Sequence, residues 1–224
     1  MEFIAEIKNV SKKFGDETAV REVSLSLEPG KIYGIAGRNG SGKTVLFKMI
    51  IGFLKPSSGK IFVHGKEIGK DVDFAEDIGI IIETPGFLGG LNGYRNLEYL
   101  AAIKKRIGRE EIRGSMEIVG LDPDSKKKVR QYSLGMRQRL GIAQAIMEHP
   151  QFLILDEPMN GLDREGAAEI RLLFLKWKEE GTTILLSSHH REDLDELCDE
   201  VFEMEDGRLK RSPAFFRYSR GVRL

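Results

Sequence analysis

Gly37-Arg38-Asn39-Gly40-Ser41-Gly42-Lys43-Thr44 is the stretch from which the rest of the chain is read. Its spacing is G-x-x-x-x-G-K-[ST], and each residue type has a chemical reason to be there. The glycines allow a backbone of positive φ and bring N–H groups close to an anion, with no Cβ in between. Lys43 suits the β- and γ-phosphates of a nucleotide, and the Thr44 hydroxyl suits a bound Mg²⁺. The flanks agree with this reading. Lys31-Ile32-Tyr33-Gly34-Ile35-Ala36 reads as a buried strand feeding the loop, and Thr44 to Ile51 continues as an apolar helix. A helix that starts there aims its positive end at the same anion. An accidental glycine-rich turn would lack that strand–loop–helix context.

Composition narrows the setting. Across 224 residues, 35 basic and 35 acidic side chains balance, so no global field favours nucleic acid or a membrane surface, and no nucleic-acid partner is expected. The single cysteine excludes an internal disulfide framework and suits a reducing compartment. Met1-Glu2-Phe3-Ile4-Ala5-Glu6 places acids where a signal peptide needs a basic and then an apolar run. Ile78-Gly79-Ile80-Ile81-Ile82 is much shorter than the ~20 residues needed to span a bilayer. A soluble, cytosolic, single-domain protein is expected, with any membrane crossing left to another polypeptide.

Residues 2–8 and 22–27 alternate polar and apolar, which predicts half-buried antiparallel strands joined through a turn at Phe14-Gly15-Asp16-Glu17. Gly59 to Gly65 reads as a short strand and Ile78 to Ile82 as a buried one. From about Pro85 to Ala145 the periodicity is helical, in pieces around Leu97–Ile103, Glu110–Val119 and Leu134–Met147. Strand and helix then alternate: Phe152–Leu155, Arg164–Glu180, Thr182–Leu186, Arg191–Leu197 and Glu200–Met204. Asp163 is a plausible N-cap of the long helix, and Gly181 its stop. The plan is α/β, with a helical block inserted between two parts of a mainly parallel sheet. Ligands of such sheets sit at the carboxyl ends of the strands, where the loop after Ala36 falls.

Phe152-Leu153-Ile154-Leu155-Asp156-Glu157-Pro158 supplies a second site. An all-apolar run marks a central parallel strand, and acids just past its end lie beside the phosphate loop. Asp156 is expected to hold Mg²⁺, and Glu157 to orient and deprotonate an attacking water. Tyr132-Ser133-Leu134-Gly135-Met136-Arg137-Gln138-Arg139 opens a helix, with a hydroxyl and backbone N–H groups ready for an anion.

With these residues in hand, the whole chain resembles the ATP-binding subunits of ATP-binding-cassette transporters. The family signature, usually Leu-Ser-Gly-Gly-Gln, stands here as Tyr132-Ser133-Leu134-Gly135-Met136, a version similar to that of the drug, bacteriocin and antibiotic exporters. The resemblance implies that Ser133 and Gly135 contact the nucleotide of a partner copy in a head-to-tail homodimer, or in a heterodimer with a similar subunit. It implies that Phe14 stacks on adenine and that Asp163, in Asn160-Gly161-Leu162-Asp163, braces the dimer interface. His189, in Ser187-Ser188-His189-His190, becomes the switch histidine at the γ-phosphate, and His190 is left as surface. Glu83 departs from the family: it stands where a Gln normally contacts Mg²⁺ and the attacking water, and brings an extra charge beside the phosphates. The aromatic and glycine-rich stretch Gly86–Tyr94 falls where the family receives a short helix of the membrane subunit, with Phe87, Leu88 and Tyr94 as socket or as lobe core.

The fold class expected is therefore an α/β P-loop NTPase with a mainly parallel core sheet, an N-terminal antiparallel β lobe and an inserted helical subdomain. One cassette covers 1–224, with about 1–84 and 146–224 as core and β lobe and about 85–145 as the helical signature subdomain. The resemblance implies ATP hydrolysis with Mg²⁺, powering export of a drug, peptide antibiotic or lipid-like substrate through a multi-spanning membrane permease from the cytoplasmic face of the membrane. The catalytic set is Glu157, His189 and Lys43, and the metal set Thr44, Glu83 and Asp156. The alternative is a non-transport cassette ATPase acting as a regulatory module, which would usually carry tandem cassettes and a linker. Lys126-Lys127-Lys128 reads as a solvated run, Cys198 and Trp177 as packing. The basic-aromatic tail from Gly207, with Arg208, Lys210, Arg211, Phe215, Phe216, Arg217, Tyr218, Arg220 and Arg223, reads as a docked or disordered end.

Overall fold

The computed structural model describes residues 3–83 and 85–212. Strands β1 (Ala5–Phe14) and β2 (Glu17–Leu27) form an antiparallel hairpin, with Phe14 opposite Glu17 across the Gly15-Asp16 turn. On β2 the buried Val20, Val23, Leu25 and Leu27 face the core. β1 runs well past the expected end at residue 8. Register shifts beyond Ile7, together with the positive φ of Asn9, break the period-two pattern there and hide the rest of the strand from a periodicity reading. Strand β3 (Ile32–Ala36) leads into the loop that starts α1 (Lys43–Ile51). β4 (Ser58–Val63) and β5 (Lys66–Glu67) complete a four-stranded antiparallel sheet of order β2-β1-β4-β5.

β6 (Ile78–Ile81) precedes the helical block. The block comprises α2 (Gly93–Lys104), α3 (Arg109–Ile118), a 3₁₀ turn at Val129–Gln131, and α4 (Leu134–Ile146). Residues 85–92 are loop rather than helix, because Pro85 and three glycines favour irregular backbone. The buried amide of Asn96 stands in for helical bonding there: its Oδ1 accepts from the Leu88 N–H (2.7 Å), and its Nδ2 donates to the carbonyls of Leu88 (3.2 Å) and Asn92 (2.9 Å). The chain continues through β7 (Phe152–Leu155), α5 (Arg164–Glu179), β8 (Thr183–Ser188), α6 (Arg191–Leu197), β9 (Glu200–Glu205) and β10 (Arg208–Arg211).

β10 corrects the reading of 207 onward as tail. Asp206 and Gly207 both take positive φ, the two-residue hairpin turn that an Asp-Gly pair favours, and β10 pairs antiparallel with β9. The calls on Phe215, Phe216, Arg217, Tyr218, Arg220 and Arg223 lie outside the described residues.

The second sheet has the order β10-β9-β3-β8-β7-β6 and is parallel from β9 to β6. Every residue of β7 and β8 is buried, as strands covered on both faces must be. Alternate side chains feed two cores. Phe152 and Ile154 join Tyr33, Phe47 and Ile50 on the side of α1 and the β lobe. Leu153 and Leu155 join Leu140, Phe174, Trp177 and Leu194 on the other side, where that cluster also takes in Leu97 and Met116 of the helical block. Trp177 packs on Phe174 with ring centroids 5.6 Å apart, and Cys198 is buried, which pushes its thiol pKa up. Both are packing residues, as expected. No helix among the described residues is long and apolar enough to cross a membrane.

Candidate active site

Parallel register brings the candidate residues to one edge. Ala36 pairs with Ser188 across β3 and β8, Leu155 with Leu186 across β8 and β7, and Ile81 with Leu155 across β7 and β6. The loops after Ala36, Ser188, Leu155 and Ile81 therefore leave the same end of the sheet side by side. They carry the 37–44 loop, His189, the Asp156–Glu157 pair and Glu83.

In the loop, Gly40 and Gly42 hold φ of 82° and 108°. Gly42 also has no room for a side chain, since a Cβ there would lie 2.4 Å from the Ala19 carbonyl oxygen. Lys43 is buried, and its ammonium donates to the carbonyls of Gly37 (2.6 Å) and Arg38 (3.2 Å). The Thr44 hydroxyl donates to Asp156 Oδ2 at 2.6 Å, and the Ser187 hydroxyl donates to Asp156 Oδ1 at 2.6 Å. Ser187 also accepts from the Glu157 N–H at 2.9 Å, so one buried hydroxyl ties both acids to β8. No motif points to this serine; its signal in the sequence is a small polar residue at the end of an apolar strand.

Glu157 sits at a φ of 50°, unusual for a side chain of its size. Its Oε2 lies 2.8 Å from His189 Nδ1 and accepts from the His189 N–H at 3.3 Å, while its Oε1 lies 4.0 Å from the Lys43 ammonium. The backbone strain aims the carboxylate across the sheet edge instead of along its own strand.

Two observations test whether these residues fit a nucleotide and its cation. Ser41 Oγ and Glu157 Oε1 are buried with no hydrogen-bond partner, which natural proteins rarely leave so in the absence of a ligand. Among the described residues no cluster of three or more His, Cys, Asp or Glu forms a self-sufficient metal site. The oxygen pair of Thr44 and Asp156 is instead what Mg²⁺ uses when phosphates and water supply its remaining ligands. The residues fit both groups. A cavity of about 580 Å³ runs from Gly37–Ser41 past Ser188 and His189 to Val201 and Glu203 of β9.

The other candidates lie around this centre. Phe14, 47% exposed, ends β1 at the hairpin tip, with the Lys12 ammonium 5.1 Å from its ring centroid. Glu83 is ion-paired with Lys48 of α1 at 2.8 Å. Ser133 caps α4, its Oγ accepting from the Met136 N–H at 3.2 Å. Gly135 and Leu134 pack on Gly161 of the 160–163 loop. Asp163 caps α5, accepting from the Gly166 N–H at 2.8 Å. Gln138, buried in α4, donates to the Pro158 carbonyl at 2.9 Å and ties that helix to the segment after Glu157. Tyr132 is core of the helical block, and burial raises its phenol pKa. Phe87 and Tyr94 pack partly buried against the core, while Leu88 is 59% exposed.

A parallel sheet whose carboxyl edge carries a glycine-rich phosphate loop, an acidic pair and a histidine defines a P-loop NTPase. The comparisons give the family. Residues 20–160 match the ABC transporter family model. The chain is 42% identical over 211 residues to the bacitracin transport ATP-binding protein BcrA of Enterococcus faecalis, covering 93% of this chain and 68% of that protein. It is 36% identical over 203 residues to the lantibiotic transport ATP-binding protein SrtF of Streptococcus pyogenes, covering 91% and 87%. The structure of cbiO1 from Clostridium perfringens, part of the ABC transporter complex cbiONQ, superposes with a TM-score of 0.81 at 26% identity over 98% of this chain and 92% of that one. The chain belongs to the ABC transporter family and is an ATPase cassette of it.

Proposed function

We propose that this chain hydrolyses ATP to drive export of a peptide antibiotic or similar amphipathic compound through a separate multi-spanning permease. The observation that carries the reading is the closed set Thr44–Asp156–Ser187–Glu157–His189, bonded end to end at the carboxyl edge of the sheet. The transport of bacitracin and of lantibiotics named for the relatives supports the substrate class.

Backbone N–H groups from Gly40 to Thr44, the α1 N-terminus and Lys43 bind and orient the β- and γ-phosphates, and Phe14 stacks on the adenine. Thr44 and Asp156 would hold Mg²⁺, with Glu83 as a further oxygen ligand; when bound, the ion neutralises charge on the phosphates. Glu157 accepts the proton of the attacking water, and His189 holds that carboxylate and reaches the γ-phosphate. Ser133 and Gly135 of a second copy complete the γ-phosphate contacts in a head-to-tail dimer, with Asp163 at the interface. Nucleotide state then biases an open–closed equilibrium. Leu88, in the loop before α2, and Tyr99 and Ile103, one turn apart on α2, are each more than half exposed and offer apolar contacts to the permease on the cytoplasmic side of the membrane.

The test is Glu157→Gln. It is expected to lower turnover by roughly 100-fold or more, to leave ATP affinity within about threefold, and to accumulate as an ATP-bound dimer on size exclusion. A variant that hydrolyses ATP at the wild-type rate overturns the role of Glu157. One that binds ATP yet stays monomeric at high concentration overturns the dimer.

A further inference from the structure

The segment that carries His189 is short. Only His189 and His190 separate β8 from α6; the His189 ring is 44% exposed and meets the His190 ring, centroids 4.0 Å apart, and the Glu157 carboxylate. What fixes this turn lies beneath it. Ser188, 3% exposed, accepts from the His190 N–H at 3.0 Å, and its hydroxyl lies 3.1 Å from Asp193 Oδ2 and 3.3 Å from the His190 carbonyl oxygen. A hydroxyl has one proton, and the shorter contact, to a carboxylate, is the stronger use of it. Asp193, only 5% exposed, is held in turn by Arg171 of α5, whose Nη1 stands 2.7 Å from Asp193 Oδ1. The Arg171 Nε lies 3.0 Å from Glu196, which fixes the guanidinium as well.

A carboxylate buried this deeply needs an ionic partner and satisfied oxygens. Asp193 has both: Arg171 on one oxygen and Ser188 on the other. Arg171 also belongs to the helix that Asp163 caps, so the loop after the acidic pair and the histidine turn hang on the same rigid element. His189 must meet Glu157 at hydrogen-bond distance to act, and displacements of this order are what such a site does not tolerate.

We infer that Asp193, clamped by Arg171, is a positioning residue for His189: through Ser188 it sets the backbone of the histidine turn. The inference rests on the assignment of His189 to the ATP-hydrolysing site. It commits the pair to kcat, because Asp193 touches neither the phosphate loop nor Phe14.

The test combines kinetics with histidine imidazole NMR on the full chain. The chain has four histidines, and the His189 signal is identified by its loss in His189→Ala. Asp193→Ala is expected to lower kcat by roughly 10- to 100-fold, to hold the KM for ATP within about twofold, and to move the His189 and His190 signals while those of His64 and His149 stay. Ser188→Ala leaves the Arg171–Asp193 pair intact and is expected to reproduce both effects, which keeps the inference testable if Asp193→Ala does not fold. Asp193→Glu, which keeps the charge, is expected to recover part of the turnover. Loss of turnover with an unmoved His189 signal overturns the inference, as does a moved signal with unchanged turnover, or no change in either. A fully active His189→Ala would instead overturn the role of His189 itself.

Discussion

Glu83 is the residue at which chemistry and family pattern part. Its side chain is 64% exposed and pairs with Lys48, one turn beyond Thr44 on the helix that starts at the phosphate loop. A pair this exposed contributes only about 0–1 kcal/mol to stability, so its interest is electrostatic placement rather than strength. Lys48 offsets the Glu83 charge, and a carboxylate is an oxygen donor of the kind a hard cation takes. Glu83→Gln removes the charge and frees Lys48. ATPase activity titrated with Mg²⁺ is expected to reach half-maximum at a concentration shifted by about threefold or more; superimposable curves would show that Glu83 does not meet the ion. Much of the site at this scale was legible in the sequence, because a phosphate loop, an acidic pair and a histidine each carry their chemistry in residue type and spacing. Ser187, Asp193 and Arg171 were not. A serine in Leu-Leu-Ser-Ser or an arginine on a long amphipathic helix reads as ordinary until the fold sets them against buried carboxylates.

At the scale of elements, α4 is joined at two points to the segment that follows the acidic pair. Its first turn rests on the 160–163 loop, where a Cβ on Gly161 would fall 2.3 Å from Leu134 Cγ, and its middle is tied by Gln138 to the Pro158 carbonyl. Gly161 also holds a φ of 79°. Gly161→Ala is therefore strained twice, by backbone and by contact, and is expected to cost about 1–3 kcal/mol of stability while tilting the start of α4. ATP binding by the isolated chain should be unchanged, because the 37–44 loop lies elsewhere. ATP-dependent dimerisation and turnover should fall by roughly tenfold or more. Equal dimer formation by wild type and variant, measured by analytical ultracentrifugation in the Glu157→Gln background, would separate α4 from the partner's nucleotide. The exact extent of the strands was less legible than that of the helices. Bulges in β1 broke its alternation, and β10 lay in a run of basic residues whose pairing depends on the Asp206-Gly207 turn.

Across the whole molecule, the parallel sheet is shared between two cores, and one of them continues from β7 and β8 into α2, α3 and α4 without a break. The helical block therefore has no separate core with which to unfold alone. Urea unfolding followed by fluorescence of Trp177, the single tryptophan, is expected to coincide with unfolding followed by far-ultraviolet circular dichroism. Midpoints separated by more than about 0.5 M would mean that the block melts as an independent unit. The sequence by itself determined the α/β plan, the phosphate loop and the identity of the acids, because these depend on local pattern and on chemistry that only certain side chains can supply. The tertiary structure decided what touches what. Parallel register alone sets the loops after β3, β7 and β8 side by side. Burial then turns Ser187, which meets Glu157 across 30 residues, and Asp193, which meets Arg171 across 22, into supports of Glu157 and His189, and no local pattern records contacts made over such separations.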